Sequence, residues 1–352
     1  MIDAPRSVRP GEELDLDAVG EYLASIDAGL AGPLEVSQFR SGASNLTYLV
    51  KAGGSDLVLR RPPHGRKAKT AHDMGREVRM LGALAGAYPY VPRAIAHCED
   101  PAVMGCDFYV MERIEGIILR KNLPTGMQLS RDEVCQLCTN VIDKLIELHE
   151  VDYRAAGLGD FGKPEGYVRR QVEGWSKRFR AAHTPNAPSY ERVMAWLAEK
   201  QPPEVGACVI HGDFRFDNVV LDPDDPLRVI GVLDWEMATI GDPLMDLGSS
   251  LAYWMQKGDP WLLRLMRLQP TTLAGMMNRD EVIAYYCRAR GFEIESFDFY
   301  RIFGIFRLVV IMQQIYYRYH HGQTRTKRFG RFIYLIKYLE GYLNWLIKAS
   351  PL

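Results

Sequence analysis

The apolar positions change period along the chain, and the changes mark out its elements. Residues 15–30 carry Val19, Leu23 and Ile26 at helical spacing, with all three expected on one face. Strand-like runs follow at 34–39, 48–51 and 56–61, and then a helical pattern over 70–86 with Met74, Val78, Leu81 and Ala85 on one stripe. Tyr88-Pro89-Tyr90-Val91-Pro92 ends that helix, because proline cannot continue it. Two more β-like runs lie near Ile95 and Tyr109. Beyond them the period becomes helical. Ser130 and Glu133 form a capping box ahead of Val134, Leu137, Val141, Leu145 and Leu148, which predicts a helix over 130–150. Further helices are expected around Val168, Val172 and Trp175, from 241–247 onward, and over 278–290, 297–319 and 332–347. The 352 residues contain no internal repeat and are enough for one large domain or two lobes.

The stretch 208–248 interrupts this pattern with chemistry. Val209 and Ile210, then 219–221, then 229–233 read as short strands. The turn Asp222-Pro223-Asp224-Asp225-Pro226 folds the second and third into a hairpin. Asp213, Asn218 and Asp234 therefore fall at strand ends. A carboxylate that can orient a hydroxyl and take its proton, with an amide and a second carboxylate as hard oxygen ligands for magnesium, is the set that ATP-dependent phosphoryl transfer needs. Any one of these residues alone could be a structural cap. Ahead of them, Ser41, Gly42, Ser44 and Asn45 lie between two strands, where small residues either lay backbone N–H groups over phosphates or make an ordinary hairpin turn.

His211-Gly212-Asp213, Asn218 and Asp234 resemble the catalytic signature of the aminoglycoside phosphotransferase and choline kinase-like superfamily. The closest look is to kinase-like domains found alone in bacteria or joined to some acyl-CoA dehydrogenases. Gly212 stands where the protein kinase template has arginine, and Asp234-Trp235-Glu236 stands for Asp-Phe-Gly. The resemblance covers about residues 35–255. It implies an α+β, two-lobed protein kinase-like fold, with a small β-rich nucleotide-binding lobe over 1–116 and a larger, mostly helical catalytic and substrate-binding lobe over 117–352. It implies Asp213 as catalytic base, and Asn218 and Asp234 as ligands of Mg2+. Arg60, in Leu57-Val58-Leu59-Arg60, would replace the usual phosphate-binding lysine and pair with Glu77; on the alternative reading Glu77 is a solvated helix carboxylate. Ser41, Gly42, Ser44 and Asn45 would cover the phosphates, and the backbone of Glu112 and Ile114 would meet the adenine edge at a hinge before Gly116. Asp246 would brace the catalytic loop, and His211 would support it through hydrogen bonds.

A net charge of -1 gives no case for nucleic-acid binding. Residues 1–14 lack the apolar core of a signal peptide, and the apolar stretch 302–315 is broken by Arg307, so no membrane span and a cytoplasmic location are expected. The six cysteines read as reduced thiols; Cys135-x-x-Cys138 has no second pair to complete a zinc site and is expected to pack in a core or an interface. The function so read is transfer of the γ-phosphoryl of ATP or GTP to a hydroxyl of a small molecule. A protein kinase is disfavoured by the short interval between Asp234 and Gly241-Asp242-Pro243, and a silent nucleotide-binding protein by the presence of all three oxygen groups. Residues 257–352 carry 15 Lys and Arg against 7 Asp and Glu. That excess disfavours cationic acceptors such as aminoglycosides or choline. It favours a neutral or anionic one, a hydroxy acid or its coenzyme A thioester, with Arg307, Arg318 or the 325–331 cluster near its negative group; the bland reading is a solvated basic face.

Overall fold

The structure is a computed structural model that describes residues 5–39, 45–63 and 73–352. Its first lobe is built on five antiparallel strands in the order β1-β2-β3-β5-β4. Helix α1 (Leu16–Ile26) packs on one face, capped by Asp15, whose side chain accepts the Ala18 N–H. The strands are β1 (Glu35–Gln38), β2 (Leu46–Ala52) and β3 (Ser55–Arg61), then β4 (Ala94–Cys98) and β5 (Phe108–Glu112) after helix α2 (Met74–Leu84). A four-residue helix, α3 (Pro101–Met104), joins the last two strands. Strand alternation sorts the side chains. Leu57, Leu59, Phe108 and Val110 join Val19, Leu23 and Tyr48 in one core, whereas Val58, Tyr109 and Met111 join the large core that continues into the second lobe. Arg60 shares the parity of Val58 and so faces that second side.

Helix α2 differs from its predicted stripe. The buried face is Met74, Glu77, Met80, Leu81 and Leu84, while Val78 is half-buried and Ala85 exposed. Glu77 lies off the predicted stripe by spacing, and the pair with Arg60 that the resemblance implies is present at 2.6 Å. Glu77 is inside because Arg60 meets it there, and pairing is the condition under which a carboxylate tolerates burial. Ile26 is likewise exposed rather than on the inner face, since α1 ends at that residue and Asp27 starts a short 3-10 turn.

The second lobe contains α4 (Arg131–Glu150), α5 (Tyr167–Ala181), α6 (Glu191–Glu199), α7 (Pro243–Leu251), α8 (Trp261–Leu265), α9 (Arg279–Arg290), α10 (Asp298–His320), α11 (Lys327–Gly330) and α12 (Phe332–Ala349). Among them lie β6 (Cys208–Ile210), β7 (Val219–Leu221), β8 (Val229–Val232) and β9 (Thr239–Gly241). The Ser130–Glu133 capping box forms as expected, and Val134, Leu137, Val141, Leu145 and Leu148 are all buried. Cys138 is in the core; Cys135, one turn before it on α4, is exposed rather than packed inside. The hairpin of β7 and β8 forms, but β6 pairs with β9, a three-residue strand too short to give a periodic signal. No helix among the described residues is long and apolar enough to cross a membrane.

Helices α7 and α10 cross at two glycines. A Cβ on Gly304 would fall 2.2 Å from the Gly248 carbonyl oxygen, and one on Gly248 would fall 2.6 Å from the Tyr300 carbonyl oxygen. The backbones touch, and no side chain fits between them. Gly304→Ala is therefore expected to destabilise the protein by about 1–3 kcal/mol, since overpacking a close crossing forces the backbones apart. Urea unfolding at neutral pH measures this; unchanged stability would show that the crossing tolerates separation.

Candidate active site

Three short strands deliver the polar residues to one cleft. β6 runs into His211, Gly212 and Asp213, a 3-10 turn over Phe216–Asn218 leads into β7, and β8 ends before Asp234. Two backbone reversals aim the side chains. Gly212 has φ +79°, and a Cβ there would come within 2.8 Å of the Met237 carbonyl oxygen, so glycine is required where the protein kinase template has arginine. Asp234 has φ 70° and ψ 62°, the left-handed region, which aspartate enters at less cost than most residues.

The loop that bears Asp213 is held from behind. Asp246, on α7, accepts the His211 N–H at 2.8 Å and the Gly212 N–H at 2.9 Å. Arg307, on α10, donates to the Gly212 carbonyl at 2.6 Å. His211 Nε2 is 3.0 Å from the Leu233 carbonyl, which can only accept, so Nδ1 is left to accept the Asp213 N–H at 3.2 Å. Behind Asp246, His149 Nε2 lies 3.2 Å from its Oδ2, and His149 Nδ1 lies 2.5 Å from the Tyr286 hydroxyl. Burial pushes His149 below the usual histidine range despite the neighbouring carboxylate, which makes it a neutral donor to Asp246. Burial alone would raise Asp246, but the hydrogen bonds donated by the His149 side chain and the His211 N–H hold it below the usual aspartate value.

In front, Asn218 Nδ2 donates to the Asp213 carbonyl at 2.8 Å and reaches Asp213 Oδ2 at 3.3 Å, leaving its own oxygen as the atom suited to a cation. Arg215 is 3.1 Å from the other side of Asp213 Oδ2 and 3.3 Å from Asp217, and its guanidinium stacks 4.6 Å over Tyr253. The contact with Tyr253 is not legible in the sequence, because Tyr253 arrives from beyond the end of α7.

Arg60 ties the first lobe to this cleft. Nη1 donates to Glu77 Oε1 at 2.6 Å, while Nη2 meets Asp234 Oδ1 at 3.0 Å and Glu236 Oε2 at 3.5 Å. Burial opposes its charge, yet Glu77, Tyr109, Asp234 and Glu236 hold it well above the usual arginine value. Asn45 is buried and donates through Nδ2 to Glu236 Oε2 at 2.9 Å, so its side chain is engaged with the far lobe. Ser41, Gly42 and Ser44 lie outside the described residues. At the hinge, the Glu112 N–H donates to the Arg93 carbonyl at 2.9 Å, and the Ile114 side chain covers Gly231. Ile117 then bridges to Leu221 of the second lobe.

Residues 35–300 match the profile of the phosphotransferase enzyme family, APH. The chain belongs to this family. Mouse acyl-CoA dehydrogenase family member 10 is 38% identical over 324 residues, 91% of this chain and 30% of that protein. The chain spans between 30% and 43% of the length of the first curated relatives it matches, which carry acyl-CoA dehydrogenase names. A solved Ralstonia eutropha protein, described as a candidate aminoglycoside phosphotransferase, is 29% identical with a TM-score of 0.80, covering 97% of this chain and 100% of that one. A thermostable mutant of the aminoglycoside phosphotransferase APH(4)-Ia, solved with ADP and hygromycin B, shares the fold at 15% identity and TM-score 0.58, covering 95% of this chain and 99% of that one. The fold is the α+β protein kinase-like phosphotransferase fold, and family membership supports small-molecule phosphotransfer with a nucleotide co-substrate.

Asp246 has a folded-state value below its unfolded one, so its contribution to stability is present above about pH 4 and is lost as pH falls below it. Asp246→Asn should cost about 3–5 kcal/mol at pH 7, because an amide cannot accept from both backbone N–H groups and His149 together. The gap between variant and wild type should narrow toward pH 3 in urea titrations; a pH-independent gap would contradict the assignment.

Proposed function

We propose that this protein transfers the γ-phosphoryl of ATP or GTP to a hydroxyl of a neutral or anionic small molecule, a hydroxy acid or its coenzyme A thioester. The observation that carries this reading is the convergence of Asp213 and Asn218 with Asp234 and Arg60 in one cleft, from three separated stretches of chain. The acceptor oxygen attacks the γ-phosphorus in line with the departing ADP or GDP oxygen, and its proton passes to Asp213. Arg215 fixes the orientation of that carboxylate. Asn218 and Asp234 would hold magnesium, whose chemistry is to bridge phosphate oxygens and neutralise charge on them. This donor set fits the ion. Asp234 is partly open at the cleft, and Asn218 commits its nitrogen to Asp213 and so offers oxygen; among the described residues no group of three His, Cys, Asp or Glu forms an all-protein cage. Phosphate oxygens would then complete the coordination.

Arg60, kept charged and aimed by Glu77, would contact the α- and β-phosphates, with Ser41, Gly42, Ser44 and Asn45 covering them. The hinge would meet the base through the Glu112 carbonyl and the Ile114 N–H, because the Glu112 N–H is already donated within the sheet. On this reading the nucleotide-binding lobe is 1–116 and the acceptor-binding lobe 117–352. A nucleotide co-substrate and cysteines without a disulfide among the described residues fit a reducing, cytoplasmic setting.

Asp213→Asn is expected to lower turnover on the order of 10²- to 10⁴-fold while nucleotide affinity stays near wild type, since the lost group acts on the acceptor proton. Rates from coupled ADP release, with nucleotide affinity from calorimetry, check this; a variant that keeps more than about a tenth of the rate excludes Asp213 as base. Magnesium titrations should separate the two ligands, with a larger increase in the metal requirement for Asp234→Ala than for Asn218→Ala, because a carboxylate binds the hard dication more strongly than an amide. Unaltered magnesium curves in both variants would remove the metal assignment.

A further inference from the structure

Trp175, on α5, has two guanidiniums within cation–π distance of its ring. The Cζ atoms of Arg178 and Arg307 lie 4.8 Å and 5.2 Å from the centroid of its ring. The indole N–H is already donated to Gln171 Oε1 at 3.1 Å. Among the described residues, neither arginine has a carboxylate within ion-pair distance. Partial burial first, and then the charge of Arg307, pull Arg178 below the usual arginine range, so its exposed side chain feels a like charge nearby. Other arginines drawn into the fold either meet carboxylates, as Arg60 does with Glu77 and Asp234 and Arg215 with Asp213 and Asp217, or, like Arg76, donate to carbonyls and a hydroxyl.

The pair is also fixed relative to the proposed base. Arg307 donates to the Gly212 carbonyl, one residue before Asp213. Burial and the Asp213 carboxylate raise the Tyr253 hydroxyl while Arg215 and Arg307 pull it back, so one side chain lies within reach of all three charges. An anion within reach of both guanidiniums at the edge of Trp175 would relieve their repulsion and receive planar, forked N–H donors, the geometry that matches carboxylate or phosphate oxygens.

We propose that Arg178 and Arg307, stacked on Trp175 beside the catalytic loop, form the subsite for the anionic group of the acceptor. This rests on the phosphotransferase reading and deepens it. It assigns the negative group to Arg307 with a residue of α5, and not to Arg318 or to the basic cluster at 325–331. Arg178 is exposed, and among the described residues its side chain makes no hydrogen bond or ion pair that holds the fold together, so Arg178→Ala can be tested without loss of structure.

The test is equilibrium binding to the full chain carrying magnesium and a non-hydrolysable ATP analogue, so that it does not depend on turnover. The ligands come in two matched pairs. One is short hydroxycarboxylates against their primary amides; the other is hydroxyacyl coenzyme A thioesters against the corresponding N-acetylcysteamine thioesters, which lack the phosphates. The charged member of one pair is expected to bind at least about 10-fold tighter, the scale of one charge-assisted contact, and Arg178→Ala should remove most of that preference. The pair that discriminates identifies the anion as carboxylate or phosphate. If no charged member is preferred, or if the preference survives both Arg178→Ala and Arg178→Glu, or is lost instead in Arg331→Ala, the subsite is overturned. Steady-state transfer assays with the same ligands keep the two ideas apart. Preferential, Arg178-dependent binding without phosphorylation leaves the subsite standing and removes the kinase reading; equal phosphorylation of charged and uncharged members does the reverse.

Discussion

The buried Arg60–Glu77 pair is the contact on which the cleft depends. Neither group could be carried inside alone, because an isolated charge in a low-dielectric interior costs several kcal/mol. Together they join strand β3 to helix α2. The second nitrogen of the same guanidinium then reaches Asp234 and Glu236 of the other lobe, with Asn45 closing on Glu236. A lysine could not make this arrangement in the same way. Its three N–H donors sit on one compact nitrogen, whereas the planar fork places Nη1 on one carboxylate and Nη2 on others. The arginine at this position is therefore matched to the acidic Glu236, which occupies the place of glycine in the protein kinase template.

A second set of contacts fixes the loop that bears Asp213. Asp246 takes the two backbone N–H groups, Arg307 takes the carbonyl between them and Asp213, and His149 with Tyr286 orients Asp246 from the interior. Asp246 and Arg307 come from α7 and α10, the two helices whose backbones touch at Gly248 and Gly304. The closeness of that crossing sets the spacing of the braces. A packing constraint between small residues is in this way carried to the position of a carboxylate in the cleft. The same helix α10 brings Arg307 against Trp175 of α5, so the brace of the loop and the proposed anion subsite share one side chain.

Asp234 and Gly212 both occupy the left-handed region of backbone space. For Gly212 there is little conformational cost, and the absent side chain lets Met237 approach. For Asp234 the conformation is unfavourable and is held by its surroundings, with Arg60 on the carboxylate and Trp235 anchored by its indole N–H to the Val232 carbonyl. Backbone strain of about 1 kcal/mol or more is tolerated where neighbouring contacts determine the conformation, and such positions concentrate at functional sites.

The sequence by itself determined what local rules govern. The capping box at Ser130, the helical period of α4, the Asp-Pro turn between β7 and β8 and the ordered set Asp213, Asn218 and Asp234 were legible, because each depends on neighbours a few residues away. The fold class was legible through those motifs. Tertiary structure alone decided the rest. The Arg60–Glu77 pair was legible through the resemblance, but its burial was not: packing turned Glu77 into the core, where a stripe of apolar residues had placed Val78 and Ala85. It paired β6 with β9 across the whole catalytic stretch, exposed Ile26 and Cys135, and brought Arg307 to Gly212 over 95 residues of chain. Partners so far apart leave no period or spacing to read; charge burial and backbone contact, which exist only once the lobes are packed, select them.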